Sequence, residues 1–435
     1  MKQVNVGVCG LGTVGCGTLN VLTKNADAIA ARACASVVIT HVGARRDNPD
    51  ADTSEVKVSR DIFDVARDPD VNILVELIGG TTTAKDLVLE AISHGKHIVT
   101  ANKALIAEHG NEIFDVAAAK GVAVAYEAAV AGGIPIIRAL REGLSANQIE
   151  SVAGIINGTG NFILTEMRDK GRDFSDVLKE AQELGYAEAD PTFDVEGIDA
   201  AHKLAILASI AFGIPLQFDK VFTEGISALE TVDVSNAGEL GYSIKHLGIA
   251  RRTEQGVEMR VHPTLVPKSQ LIAHVDGVLN AVMVDGDAVG QTLYSGAGAG
   301  AGPTASSVVA DIVEIARQID LAAENRTPYL GFHHQQLNDY SVLPIDDCET
   351  GLYLRFNALD ESGVLSQVAE IFSDTNISVE AMVQKDIPAP HSEVPIVVVT
   401  DVAKQSDLDA LVQKLEQLDV VTGSVVHIRV DRLGG

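Results

Sequence analysis

Asp199 and Lys203 stand four positions apart in a stretch, Gly197 to Phe212, whose other side chains are nearly all apolar, Leu204, Ile206, Leu207 and Ile210 among them. At helical spacing the two charges share one face, and a helix that is apolar nearly all round belongs in an interior. Charges there are costly unless they are paired or used. A partly desolvated lysine suits one use well: giving a proton to a carbonyl oxygen as hydride reaches the carbon. The same spacing also describes an ordinary surface ion pair worth about 0.3 kcal/mol. Just upstream lies a dense polar run, Gly185-Tyr186-Ala187-Glu188-Ala189-Asp190-Pro191-Thr192, followed by Asp194 and Glu196. A second lysine, Lys103, ends the segment Thr100-Ala101-Asn102-Lys103 behind an apolar run. That is the carboxyl end of an expected strand, where open α/β sheets bind ligands; a solvated lysine at a helix start has the same setting.

Hydride chemistry needs a carrier, and the first thirty residues offer a place for one. Gly10-Leu11-Gly12-Thr13-Val14-Gly15 follows the apolar run Val4 to Cys9 and opens a helical pattern. A G-x-G-x-x-G string alone is weak, but between a strand and a helix it reads as a dinucleotide fingerprint. Its first glycine allows the tight turn, its second the approach of a pyrophosphate, and its third close helix packing. The free N–H groups of the helix start then face the phosphates. The next strand ends in Val42-Gly43-Ala44-Arg45-Arg46, with Asp47 after it. An acid at that end usually holds the ribose of NAD. Two guanidiniums instead suit the 2′-phosphate of NADP, which is the expectation, with NAD still open through Asp47. A solvated basic turn would look the same.

The elements that must position these groups follow from periodicity. Over the first 130 residues short apolar runs (Val4–Cys9, Val37–Val42, Val71–Ile78, His97–Thr100, Val122–Tyr126) alternate with helical patterns. This predicts an α/β protein with a Rossmann-type, doubly wound parallel sheet. From Gly132-Gly133-Ile134-Pro135 the pattern changes. Helices are expected to about residue 214, then strands such as Val257–Val261 and Asn280–Val284. A Gly/Ala run, Gly296 to Gly302, leads into the helix Ala305 to Ile319, which could return to the first domain. The expected division is 1–130, joined by a return helix at about 303–320; an α+β catalytic and dimerisation domain at 131–324; a linker at 325–350; and a strand–helix–strand–strand–helix–strand module at 351–435. That last βαββαβ order is ferredoxin-like.

Composition excludes some functions. With 33 basic and 60 acidic residues the formal charge is −27, so no basic footprint exists for nucleic acid. No run of apolar residues reaches the length of a membrane span. Cys9, Cys16, Cys34 and Cys348 have neither C-x-x-C nor zinc spacing. With Met1-Lys2-Gln3 leading straight into a strand pattern, a cytoplasmic protein is expected.

Taken together, these segments resemble homoserine dehydrogenase. The resemblance rests on GLGTVG at 10–15, ELIGG at 76–80, GKHIVTANKALIA at 95–107, YEAAVAGGIPII at 126–137, GIINGTGNFILT at 154–165 and AQELGYAEADPTFDVEGIDAAHKLAIL at 181–207. It runs from residue 1 to about 320. LDESGVLSQVAEIF at 359–372 with NIS at 376–378 resembles an ACT domain. With the sequence opening at the first strand, the aspartate kinase that is fused to some relatives is not expected. Three positions depart from the family pattern: Gly160 where threonine is usual, Ala301 where glycine is common, and Ser362 in place of proline.

The resemblance implies interconversion of L-homoserine and L-aspartate 4-semialdehyde with NADP(H), by direct hydride transfer without covalent intermediate or catalytic metal. It also implies a place in threonine, methionine and isoleucine biosynthesis. It makes Lys203 the proton donor, sets Lys103 between nicotinamide and substrate, and gives Gly185, Glu188 and Asp199 the substrate. Gly80, Thr100, Lys103, Gly185, Gly298 and Gly300 would join the glycine turn around the cofactor. A structural monovalent cation, sodium by expectation, would be held at Glu127, Val130, Gly132 and Ile134, through the Glu127 side chain and backbone carbonyls. L-Threonine is the expected effector of the ACT module, and the assembly a homodimer or homotetramer. Two rivals are weaker on the residues. An acylating semialdehyde reductase wants a nucleophilic cysteine with a histidine base, and no cysteine sits on the substrate segment. A ligand-sensing regulatory protein has no need of Lys103, Glu188, Asp199 and Lys203 together.

Overall fold

The computed structural model describes residues 1–385 and 393–434; residues 386–392 and 435, within the expected ACT stretch, lie outside them. The chain forms two compact units. One comprises residues 1–158, 199–221 and 278–340, and the other residues 159–198, 222–277 and 341–435.

In the first unit six strands form a sheet: β1 (Lys2–Cys9), β2 (Ala35–Gly43), β3 (Lys57–Ser59), β4 (Ile73–Glu76), β5 (His97–Thr100) and β6 (Val124–Ala125). All pair in parallel in the order β3-β2-β1-β4-β5-β6. The order reverses direction beside β1, and that edge is where a doubly wound sheet binds its ligand. The longer helices are α1 (Thr13–Lys24), α2 (Thr82–Ser93), α3 (Lys103–Lys120), α4 (Ile198–Phe212) and α5 (Ala301–Gln318). Asn102 caps α3, its side chain accepting from Leu105 N, and Gly121 ends the helix at φ 68°. These are the stop and start signals that such residues supply. Helix α5 returns to the sheet: Val308, Ile312 and Ile315 share one buried core with Val4, Val6 and Val8 of β1 and Ile73 and Val75 of β4. Each such side chain, fully buried, stabilises by about 2 kcal/mol.

Two elements of this unit carry no clear period in the sequence. Residues 149–155, where helices were expected, form β7 (Ile149–Ile155), and the Gly/Ala run begins as a strand. With β8 (Leu279–Gly286) and β9 (Gly290–Ala297) they make an antiparallel set in the order β9-β8-β7. Every residue of β7 from Val152 onward is buried, so alternation, the usual strand signal, is missing.

The second unit is built on the antiparallel strands Tyr242–Arg252 and Val257–Pro267, in continuous register. The C-terminal module has the expected βαββαβ order: strand Glu349–Leu359, helix Val364–Thr375, strands Val379–Gln384 and Glu393–Thr400, helix Gln405–Glu416 and strand Val421–Val430. Its last strand pairs in parallel with Val257–Pro267, Thr264 opposite Arg429 and Leu265 opposite Val430. The module is therefore continuous with the sheet of its unit. Arg429 reinforces the join, meeting Glu224 at 2.5 Å and lying over the Phe222 ring. Among the described residues no helix is long and apolar enough to cross a membrane.

Candidate active site

Helix α4 is buried on every residue except Ile198 and Lys203, as an all-round apolar helix must be. Its one buried carboxylate, Asp199, is the centre of a charge cluster. Lys203 Nζ donates to Asp199 Oδ2 at 2.7 Å and to the Ile156 carbonyl at 2.7 Å. Asn157 Nδ2 donates to the same Oδ2 at 2.8 Å. Lys103, the first residue of α3, brings its Nζ to 3.1 Å from Oδ1. Burial alone would raise the Asp199 carboxyl; the charges of Lys203 and Lys103 and the hydrogen bonds from Lys203 and Asn157 outweigh it and hold the group well below the usual carboxylate range. This is not the exposed ion pair that the spacing also allowed, since the Lys203 side chain is only 12% exposed. Asn157 had no chemical signal of its own in the sequence beyond a glycine-rich turn.

On the same helix, His202 stacks on Phe218 with ring centroids 4.0 Å apart, and its Nε2 lies 3.2 Å from Glu108 Oε1 on α3. The contact ties the two lysine-bearing helices together. Gly185 and Glu188 belong to the other unit, on an exposed loop after the helix Phe174–Glu183. Gly185 has φ 76° there. The Glu188 carbonyl accepts from Gln182 Nε2, and Thr159 Oγ1 donates to the Tyr186 carbonyl.

The glycine turn fits a dinucleotide phosphate. Gly10 has φ 107°, and a Cβ there would come within 2.5 Å of the Leu77 carbonyl oxygen. At Gly15 a Cβ would meet the Gly10 carbonyl at 2.1 Å. Gly12 faces open space and caps α1 without a side-chain hydrogen bond. Only there could a Cβ enter the space above the helix N-terminus, whose N–H groups suit an anion. Leu11 is buried, Thr13 is exposed on the first turn and Val14 is half-buried. Gly17, unremarked in the sequence, would drive a Cβ to 2.4 Å from the Ala301 carbonyl, so α1 and α5 touch backbone to backbone. Gly298 and Gly300 lie in the loop that starts α5; a Cβ on Gly132 would meet the Gly298 carbonyl at 2.4 Å. Gly80 is exposed at φ 71°, whereas the Thr100 hydroxyl is buried against Glu76.

Arg45 and Arg46 are exposed directly after β2. Asp47, the one acid that kept NAD open, is held by both oxygens on Arg60 Nη2, at 2.8 and 2.9 Å. Asn48 Nδ2 donates to the Leu11 carbonyl at 2.9 Å, which fastens this basic loop to the glycine turn. Sequence spacing could not find Arg60 or Asn48, because the contacts close only when β2, β3 and the turn come together.

The cation expectation centres on Glu127. Its two carboxylate oxygens accept from Ile137 N and Arg138 N, each at 2.9 Å, and the Arg138 guanidinium lies 3.5 Å away. Each oxygen of this side chain thus already accepts one N–H. Nearby, the Gly132 carbonyl accepts from Ser307 and the Ile134 carbonyl from Ile136 N.

A nucleotide cradle at the switch point of a parallel sheet, with lysines gathered on one buried carboxylate, is what a nicotinamide-dependent oxidoreductase requires, and the chain is an enzyme of that class. Comparison with known proteins narrows the class. Residues 10–127 match the family model for the homoserine dehydrogenase NAD-binding domain, residues 135–313 that for homoserine dehydrogenase, and residues 352–420 that for the ACT domain. A homoserine dehydrogenase of Pseudomonas aeruginosa is 61% identical over 433 residues, covering 100% of both chains. One from Neisseria gonorrhoeae is 50% identical, again over 100% of both. The crystal structure of a homoserine dehydrogenase from Thiobacillus denitrificans is similar with a TM-score of 0.94 and 55% identity, covering 100% of this chain and 99% of that one. The chain belongs to the homoserine dehydrogenase family.

Proposed function

We propose that the chain reduces L-aspartate 4-semialdehyde to L-homoserine reversibly, with NADPH preferred, and that Lys203 is the proton donor. The observation that carries this reading is the pair of lysines on Asp199, one of them fixed by a second bond to the Ile156 carbonyl. A bound nicotinamide would supply hydride to the carbonyl carbon. As charge develops on the oxygen, the Lys203 ammonium gives it a proton. Asp199, Asn157 and the Ile156 carbonyl aim that ammonium and limit its rotation, so little reorganisation is left to the reaction itself. The second ammonium, Lys103, adds positive charge on the same side. Asp199 Oδ1, 3.1 Å from Lys103, is read as the oxygen that receives a substrate ammonium; Glu188 and Gly185 are read as further amino-acid contacts. The step needs neither a covalent intermediate nor a catalytic metal.

Preference for NADPH is supported by Arg45 and Arg46 in the open and by the commitment of Asp47 to Arg60. A structural monovalent cation is read at Glu127, Val130, Gly132 and Ile134. We also read the ACT module, matched over residues 352–420, as a regulatory site for L-threonine. The enzyme is read as a cytoplasmic homodimer or homotetramer of amino-acid biosynthesis. Lys203→Ala should lower kcat about 10²- to 10⁴-fold, the range of general acid catalysis, with NADPH affinity by fluorescence titration within a few-fold of the parent. Near-normal turnover would remove Lys203 from the role. Saturating threonine that changes neither rate nor melting temperature would remove threonine as the effector.

A further inference from the structure

Glu76 is the last residue of β4, fully buried and absent from the ion pairs among the described residues. Its cross-strand neighbours are Cys9 of β1 and Thr100 of β5. A carboxylate without a cationic partner is an expensive group to bury, and burial does raise this one; the Thr100 hydroxyl and the N–H groups of Ile78 and Gly79 oppose the rise. Those donors show what the group holds. Oε1 accepts from Ile78 N at 2.9 Å and Gly79 N at 3.2 Å, pinning the turn that continues through Gly80. Oε2 accepts from Thr100 Oγ1 at 2.6 Å. Thr100 Oγ1 in turn accepts from Asn102 N at 3.0 Å. The Asn102 side chain donates to the Gly80 carbonyl at 2.7 Å and accepts from Leu105 N at 3.1 Å. The loop therefore closes on itself, and the residue it delivers is Lys103. On the other side, Leu77 N donates to the Cys9 carbonyl at 2.8 Å, beside Gly10 of the phosphate turn.

We infer that Glu76 is a positioning residue: its carboxylate fixes the start of α3 through Thr100 and Asn102, and thereby sets Lys103 on Asp199. Glu76 is fully buried and acts through Thr100 and Asn102. The inference rests on the proposed role of Lys103 in the reaction, and the experiment separates the two. Thr100→Val, nearly isosteric, cuts the chain at the hydroxyl while leaving Glu76 its two N–H donors. Thr100→Ser restores the hydroxyl. Glu76→Gln keeps an acceptor for the turn and loses one for Thr100. Lys103→Met reports on the reading beneath.

With NADPH saturating, Thr100→Val and Glu76→Gln should lose kcat at least ten-fold, KM for NADPH should move less than three-fold in Glu76→Gln, and Thr100→Ser should recover kcat to within three-fold of the parent. Melting temperatures would verify that the variants are folded; if Glu76→Gln does not fold, the Thr100 pair decides. A folded Thr100→Val with kcat within two-fold of the parent overturns the inference, as does a loss confined to KM for NADPH. If Lys103→Met itself turns over normally, the proposed role of Lys103 falls instead.

Discussion

Lys103 Nζ stands 3.1 Å from Asp199 Oδ1, on a carboxylate whose other oxygen already receives Lys203 at 2.7 Å and Asn157 at 2.8 Å. One buried anion thus fixes two cations delivered by different helices. Replacing it without changing its size, as Asp199→Asn, leaves two ammonium groups with no counter-charge. Removing one partner of a buried pair costs about 3–5 kcal/mol, and less here because Lys103 is a third exposed; about 2–3 kcal/mol is expected. The rate should fall at least ten-fold, since Lys203 loses an aiming contact.

The same carboxylate sets a pH signature at the acid end. Burial opposes ionisation of Asp199, but Lys203 and Lys103 prevail and hold it below its unfolded value. A group depressed in this way contributes stability that is present above about pH 4 and is lost as pH falls through the folded value. Melting curves between pH 5 and 2.5 should therefore fall more steeply for the parent than for Asp199→Asn. Parallel curves would mean that the two lysines do not hold the charge.

How much of this was legible varied with physics. The parallel sheet, the turn at Gly10–Gly15 and the pairing of Asp199 with Lys203 are local patterns, and local patterns survive in sequence. Strand β7 was hidden because burial on both faces removes the alternation that marks a strand. Glu76 and Asn157 were hidden for another reason: each acts only through partners distant in sequence, such as Thr100 and Asp199. The N–H partners of Glu127 were hidden in the same way, since they come from the short helix at Ile136–Arg138.

The glycines of the phosphate turn should separate binding from folding. A Cβ at Gly12 meets nothing within 4 Å, while one at Gly15 would collide with the Gly10 carbonyl oxygen. Gly12→Ala should melt within a few degrees of the parent yet lose NADPH affinity at least ten-fold, because its methyl occupies the approach of the pyrophosphate. Gly15→Ala should lose stability as well, by about 1–3 kcal/mol as an overpacked site. Equal affinity for Gly12→Ala and the parent in a fluorescence titration would contradict the fit of the cradle.

Cofactor preference should reside in the loop after β2. Arg45→Ala with Arg46→Ala removes two exposed guanidiniums and should raise KM for NADPH about ten-fold or more, leaving KM for NADH within about three-fold, given about 1.5–3 kcal/mol for a hydrogen bond to a charged group. Arg60→Ala should do something different. By releasing Asp47 from its bidentate partner, it frees an acid for the ribose of NADH and should improve use of NADH. If the double variant keeps the parent's ratio of the two cofactors, the 2′-phosphate is read elsewhere.

Glu127 and Asp311 should give a second pH signature of opposite sign. Burial pushes Glu127 up to about 7 against the N–H groups of Ile137 and Arg138 and the Arg138 charge. It pushes Asp311 to about 7 as well, with Arg138 opposing and Glu127 and Glu314 adding to the rise. The two are linked by the charge of Glu127 on Asp311 and by Arg138, which lies 3.5 Å from Glu127 and 3.0 Å from Asp311, so they titrate as a pair. Between about pH 4 and 7 the folded state then binds more protons than the unfolded chain. Stability falls with rising pH across that window, at most about 1.4 kcal/mol per pH unit for each group, and levels above it. Asp311→Asn removes one titrating group and should flatten the slope of unfolding free energy against pH between 5 and 7, whatever its effect on absolute stability. Glu127→Gln should flatten it likewise. Slopes unchanged in both variants would mean that Arg138 and Arg141 keep the pair ionised throughout.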